Sequence, residues 1–193
     1  MTEKQRKTTA IITFILIFLI LFLTGFILNK EWDMIRMKKG DDAPIIWEDT
    51  YPTDNVLLLE MEDKHFERID VRMTDIYYLP NKERLHFGIW YDLSDYISEE
   101  YAHSVFTVKL EDEDGNVYDE NRYSKKRHGI FGKFQYRQIS GVSLDGVKEL
   151  YMSIYPVEYV RGQALEMEPE TKLIFTEALA PLPEYDHHLY NND

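Results

Sequence analysis

From Thr8 to Leu28 the chain runs for twenty-one residues without a charge, and fifteen of them are Ile, Leu or Phe. The others are Thr8, Thr9, Ala10, Thr13, Thr24 and Gly25. As a helix rising about 1.5 Å per residue, this run is about 31 Å long, the thickness of a bilayer's hydrocarbon core. At roughly −0.5 kcal/mol for each Ile, Leu or Phe, insertion is favoured by about 7 kcal/mol, an upper figure because off-centre positions count for less. A soluble core helix apolar on every face would need more surrounding chain than 193 residues readily supply. The run therefore predicts a membrane-spanning helix.

Lys4, Arg6 and Lys7 give the segment a positive start, as a secretory signal also requires. Against cleavage, the run exceeds the usual 7–15 apolar residues (about) of a signal, and Leu23-Thr24-Gly25-Phe26 leads into large residues. The expectation is a retained anchor. Cysteine is absent, which excludes a lipid-bearing cysteine, disulfides, thiolate metal sites and thiol catalysis together. Basic residues flank the run almost equally, three before it and Lys30, Arg36, Lys38 and Lys39 after it. Signal-anchor insertion leaves a short basic tail behind, so residues 1–7 are expected in the cytoplasm and the larger part outside the cell membrane. Helical spacing of Trp32, Ile35 and Lys39, with Gly40 as a stop, predicts that the helix extends through a juxtamembrane segment, 29–42.

Beyond residue 28 there are 19 basic and 34 acidic residues, a formal charge of −15. So acidic a surface opposes non-specific binding to nucleic acid or to an anionic membrane. About 165 residues suit one domain that can bury a core without disulfides or metal. No Asn-x-Ser/Thr acceptor occurs, a weak argument against a eukaryotic secretory origin.

Short runs rich in Val, Ile, Tyr and Phe, separated by charged or glycine-containing turns, predict strands at 44–47, 56–61, 66–78, 85–91, 104–110, 117–123, 131–139, 149–155 and 173–177. Alternation is clearest where Phe106, Val108 and Leu110 oppose Thr107 and Lys109, and where Leu150, Met152 and Ile154 oppose Tyr151, Ser153 and Tyr155. Asp114-Gly115 reads as a hairpin turn, Asp145-Gly146 as another, and Leu93 to Tyr101 as a possible helical turn. The predicted architecture is all-β: an immunoglobulin-like β-sandwich over 43–180 after one transmembrane α-helix, with a flexible tail over 181–193. An open barrel is the contender.

Signatures of chemistry are sparse. Glu111 to Asn116 invites a calcium reading, but counting back from Gly115 puts Leu110 first and Asn121 twelfth, where an EF-hand needs acids. A solvated hairpin tip is expected there. His65, His86, His103 and His128 lie apart without helical pairing, and His187-His188 beside Asp186 sit in the tail. Ser140-Gly141-Val142-Ser143 is no nucleophile elbow, and no phosphate-binding glycine loop occurs. Neither a cofactor nor catalysis is expected. Fourteen tyrosines, with Trp47 and Trp90, are expected to pack across sheets, an exposed aromatic ladder being the lesser reading.

The least expected feature is basic. From Arg122 to Arg137 there is no Asp or Glu, while Arg122, Lys125, Lys126, Arg127 and Lys133 interleave with aromatics including Phe131. These six residues form the candidate docking surface for an anionic group: a headgroup, a wall polymer or the acidic face of a protein. The competing reading is a solvated loop paired with acids such as Asp119 and Glu120. Nucleic acid is not expected on the outer side of a membrane, despite the aromatic–basic mixture.

In Val105 to Pro156, a strand ending Lys109-Leu110 meets an acidic Asp-Gly turn and a return strand. Gly141-Val142-Ser143-Leu144-Asp145-Gly146-Val147-Lys148-Glu149-Leu150 then leads into Tyr151 to Pro156. This order, about a quarter of the chain, resembles the immunoglobulin-like ectodomains of single-pass membrane proteins of low-GC Gram-positive bacteria, including those of anti-sigma-type proteins. The resemblance implies a non-catalytic sandwich outside the membrane. It carries over no functional residue, and with seven residues before the anchor a cytoplasmic domain of the anti-sigma kind is not expected. The function expected is a membrane-anchored, extracytoplasmic binding domain that docks a protein partner or envelope component. Alternatives are an accessory subunit packing through its transmembrane helix, or a carboxylate-dependent envelope hydrolase with two convergent acids in a cleft.

Overall fold

A computed structural model describes residues 3–39, 55–61, 63–92, 105–129, 132–177 and 183–184, with the backbone alone for residues 4, 30, 33, 120–128 and 159. The expected strand at 44–47, the possible turn at 93–101, Phe131 and most of the tail lie outside the described residues.

One unbroken helix, α1 (Glu3–Lys39), contains two kinds of surface. Gln5–Asn29 has a mean hydropathy of 3.1, none of it is buried against the rest of the chain, and it is long and apolar enough to cross a membrane. Past Asn29 the helix becomes one-sided: Met34 and Met37 are 1% and 4% exposed, whereas Trp32 remains 58% exposed. Arg36, Lys38 and Lys39 occupy the last turn, where cations complement the helix dipole. The expected extension past the apolar run is thus present as helix as far as Lys39.

The rest is β-structure: β1 (Leu57–Leu59), β2 (His65–Phe66), β3 (Val71–Met73), β4 (Ile76–Leu79), β5 (Arg84–Asp92), β6 (Phe106–Asp112), β7 (Val117–His128), β8 (Gly132–Ser140), β9 (Glu149–Val160), β10 (Gln163–Glu166) and β11 (Glu170–Thr176). Among the described residues the strands form one antiparallel sheet in the order β1-β4-β5-β8-β7-β6-β9-β10. Strand β11 runs beside β9, β3 beside β5, and β2 beside β3.

The sheet curls because β7 serves two neighbours. Residues 117–119 pair with β6, and residues from Glu120 onward pair with β8. The β7–β8 register shifts twice, between Glu120 and Arg122 and between Tyr123 and Lys126, and such bulges bend a strand and raise its twist. Folded over in this way, Leu85, Phe87 and Ile89 of β5 share one core with Phe106, Val108 and Leu110 of β6 and with Leu150, Met152 and Ile154 of β9. Every one of these nine is 0% exposed. The two alternations read from the sequence are core faces, as expected.

The stretch expected as one strand over 66–78 is three, for two local reasons. After β2, a 3-10 turn at Glu67–Ile69 ends on Asp70 at φ 44°, which reverses the chain. Between β3 and β4 the register with β5 slips by one residue at Thr74-Asp75. There the Gly88 N–H donates to Thr74 Oγ1 at 3.0 Å, and the Thr74 N–H donates to the Gly88 carbonyl at 2.9 Å. A side-chain oxygen thus replaces a backbone carbonyl in the ladder. Strand β10 was not expected; it follows Arg161 (φ 52°) and Gly162 (φ 81°), a two-residue turn with both centres left-handed. Pro183 and Glu184, assigned by the sequence to the tail, bond to β1.

Candidate interaction surface

Alternation along β8 decides what the acid-free segment can present. Phe134 and Tyr136 lie on the outer face of the sheet, and Lys133, Gln135, Arg137 and Ile139 on the face that includes the main core. Lys133 is 8% exposed and pairs in register with Tyr91 and His128. Arg137 is 1% exposed; its guanidinium donates to the Gln135 Oε1 at 2.6 Å and to the Phe106 carbonyl at 3.2 Å. Gln135 in turn donates to the Tyr91 hydroxyl at 2.9 Å. One end of the interior is therefore a polar network rather than a docking surface.

Arg122, Lys125, Lys126 and Arg127 all lie on β7, with Arg122, Lys126 and Arg127 opposite Gln138, Gln135 and Phe134 of β8. Strand β7 thus holds four of the six candidate residues on one backbone segment, Lys133 lies inside the sheet's curl, and Phe131 is outside the described residues. The strand expected over 117–123 continues to His128, its added half a run of cations.

The outer face of β5 and β8 receives α1. Met34, Met37 and Phe134 form a small core with Trp90 and Tyr136 packed on it. The Trp90 and Phe134 rings stack with centroids 5.9 Å apart, and Tyr136 meets Phe134 edge-on at 5.2 Å. At the tip of the β7–β8 hairpin, Gly129 donates its N–H to the Gly132 carbonyl at 2.9 Å. A β-carbon at Gly129 would lie 2.7 Å from Glu31 Oε1, so helix and hairpin tip touch. Sequence reasoning did not find this seam; Met34 and Met37 at helical spacing, three residues apart, were its signal.

Two clefts flank these elements. One of about 310 Å³ lies between the end of α1 and the sheet, lined by Lys38, Lys39, Lys64, Arg72, Trp90 and Asp75 among others. Lys64 Nζ is 2.7 Å from Asp75, and Arg72 is 3.6 Å from Asp70, so much of its charge is internally balanced. The other, about 770 Å³, opens between β1 and β11 and is mostly apolar, with Leu59, Met61, Ile174 and Phe175 on its walls. At its rim Lys172 donates to Asp63, and that bond, with the His65 N–H, holds the Asp63 carboxyl below its ordinary range. A glycosidase-type acid needs the opposite shift.

At the β6–β7 turn, Asp112 is 6% exposed and organises the loop. Its carboxylate accepts the N–H of Asp114 and of Asn116 at 3.1 and 2.8 Å, and also the Asn116 amide and the Tyr118 hydroxyl. Burial pushes this carboxyl up, but those hydrogen bonds outweigh it and hold it below the usual value. Glu113 accepts the N–H groups of Lys148 and Glu149, which lower its pKa. Protein donors thus occupy the Asp112 and Glu113 carboxylates of the acidic turn considered for calcium. Among the described residues no cluster of three His, Asp or Glu has the spacing to hold a metal. His86 is fully buried, and His65 bonds Asp70 at 2.7 Å.

The chain matches no protein-family profile, no curated protein and no solved structure.

Proposed function

We propose that this chain is a single-pass membrane protein whose β-domain, an immunoglobulin-like sandwich held on the extracytoplasmic side, docks an anionic partner without catalysing a reaction. The partner class is a protein or an envelope component, and the docking residues are Arg122, Lys125, Lys126, Arg127 and Phe131; Lys133, expected among them, is buried on the inner face of β8. The observation that carries this reading is the continuity of α1. An apolar span with no buried residue runs without a break into a segment whose Met34 and Met37 are locked onto the strand pair β5–β8. A domain so fixed is held at constant distance and orientation from the lipid. The supporting chemistry is the charge asymmetry: 122–137 is free of acids on a part of the chain carrying −15. Reversing Lys125, Lys126 and Arg127 to Glu in the full chain should abolish crosslinking from the β-domain to its neighbour. Unchanged crosslinking to every neighbour contradicts the docking reading.

A second reading is favoured by the span itself. Gly25 has nothing within 4 Å of where a β-carbon would sit, which leaves a flat place for another helix. Thr9, by contrast, spends its hydroxyl on the Gln5 carbonyl at 2.9 Å. An accessory subunit packing through Gly25 loses function when the span is exchanged for an unrelated one. A tethered domain keeps it.

A further inference from the structure

The order in which α1 meets the strands fixes which of them lie nearest the lipid. Glu31, two residues or about 3 Å beyond Asn29, touches Gly129 at the β7–β8 tip. Met34 and Met37 come next and pack on Phe134 of β8, with Trp90 of β5 beside it. Lys38 and Lys39, about 14 Å past Asn29, share a cleft with Arg72 of β3 and His65 of β2. Moving outward along the helix, one therefore passes the β7–β8 tip, then β8 and β5, then β3 and β2. The headgroup layer on each side of a bilayer is about 5–8 Å thick. Glu31 falls within it, and so does exposed Trp32, in the position of an interfacial aromatic belt.

From this placement we infer that the β7–β8 hairpin is the membrane-proximal part of the domain and that Arg122, Lys125, Lys126 and Arg127 of β7 bind the anionic lipid headgroups of the bilayer in which α1 is anchored. The inference rests on the membrane-anchored reading and names the partner of that same surface. The remaining charge works in the same direction. A body carrying −15 is repelled by an anionic surface, and the acid-free segment is the part that the helix delivers to it. Each Lys or Arg near such a surface favours the docked state about fivefold, and salt weakens the attraction within a Debye length. The apposition therefore sets the tilt of the domain, with β2 and β3 held farthest from the lipid.

The test uses the full chain in nanodiscs, and the absence of cysteine makes single labels clean. An environment-sensitive fluorophore is placed at Ser124→Cys on β7 or at Glu67→Cys beside β2. Quenching by headgroup-labelled lipid is compared in phosphatidylcholine alone and in phosphatidylcholine with phosphatidylglycerol. The Ser124 label should be quenched several-fold more in the anionic discs, the Glu67 label equally little in both. Reversing Lys125, Lys126 and Arg127 to Glu should return the Ser124 signal to its zwitterionic level, as should high salt. Quenching at Ser124 that ignores lipid charge, or survives the reversal, overturns the inference. So does a Ser124 crosslink to an acidic protein in native membranes in place of lipid proximity. In all three outcomes the chain still co-elutes with the disc and the anchor reading stands. If the chain elutes apart from the disc, the anchor reading itself fails.

Discussion

A β-carbon on Gly88 would lie 2.1 Å from the tip of the Phe134 ring, so the ring sits against β5 only because position 88 is bare. Phe134 is fully buried, with Met34 and Met37 above it and Trp90 and Tyr136 on either side. The glycine is a condition for docking the helix on the sheet. Gly88→Ala should displace the ring and cost about 1–3 kcal/mol by overpacking. Chemical denaturation of the full chain in detergent checks this, and an unchanged midpoint contradicts it.

Met34 carries the same seam from the helix side. Truncation to Ala removes a 1% exposed side chain from a cluster of three, a loss of about 2–5 kcal/mol where the site cannot collapse. The main core lies on the opposite face and does not include Met34. Hydrogen exchange should therefore accelerate at residues 31–39 while the amides of β6 and β9 keep their protection. Uniform acceleration across both would show that the seam and the core are one unit.

Thr74 is the register device of the β3–β5 pairing. In Thr74→Val the buried Gly88 N–H loses the Thr74 Oγ1 acceptor, at a cost of about 1–3 kcal/mol. Thr74→Ser retains the oxygen and should recover most of the loss. Equal stability of the Val and Ser variants contradicts this role.

Acid should loosen the β6–β7 turn. The Asp112 and Glu113 carboxyls have folded-state pKa values below their ordinary ones. Their contribution is complete above the unfolded pKa, near pH 4, and is lost as pH falls through the lower folded values. Stability should thus drop below about pH 4. In Asp112→Asn the drop should be shallower, because the group that takes up a proton is gone. Urea melts over that pH range provide the measurement, and parallel curves for the two proteins contradict the assignment.

The legible parts of the fold were those where side chains alternate against one core. Leu85 to Tyr91, Phe106 to Leu110 and Leu150 to Ile154 each show their buried face in the sequence, and each is a strand. Strand β10 was illegible because all four of its residues are exposed, leaving Arg161-Gly162 as the one cue to its turn. The break within 66–78 depended on Asp70 adopting a left-handed conformation and on a threonine hydroxyl entering the ladder, neither of which has a hydropathy signature. In the candidate surface, composition singled out the acid-free segment but not its two sides. Lys133 and Arg137 are buried, Arg137 bonded to Gln135 and Gln135 to Tyr91, while the four cations of β7 lie on a strand that extends past the expected end at Tyr123.

The most direct test of a lipid-anchored, outward-facing domain is protease digestion of sealed, intact cells, followed by alkaline carbonate extraction of their membranes. The account predicts that external protease degrades the β-domain and that a fragment containing residues 5–29 stays with the lipid. A chain released by carbonate, or a β-domain cut only after the cells are opened, contradicts it.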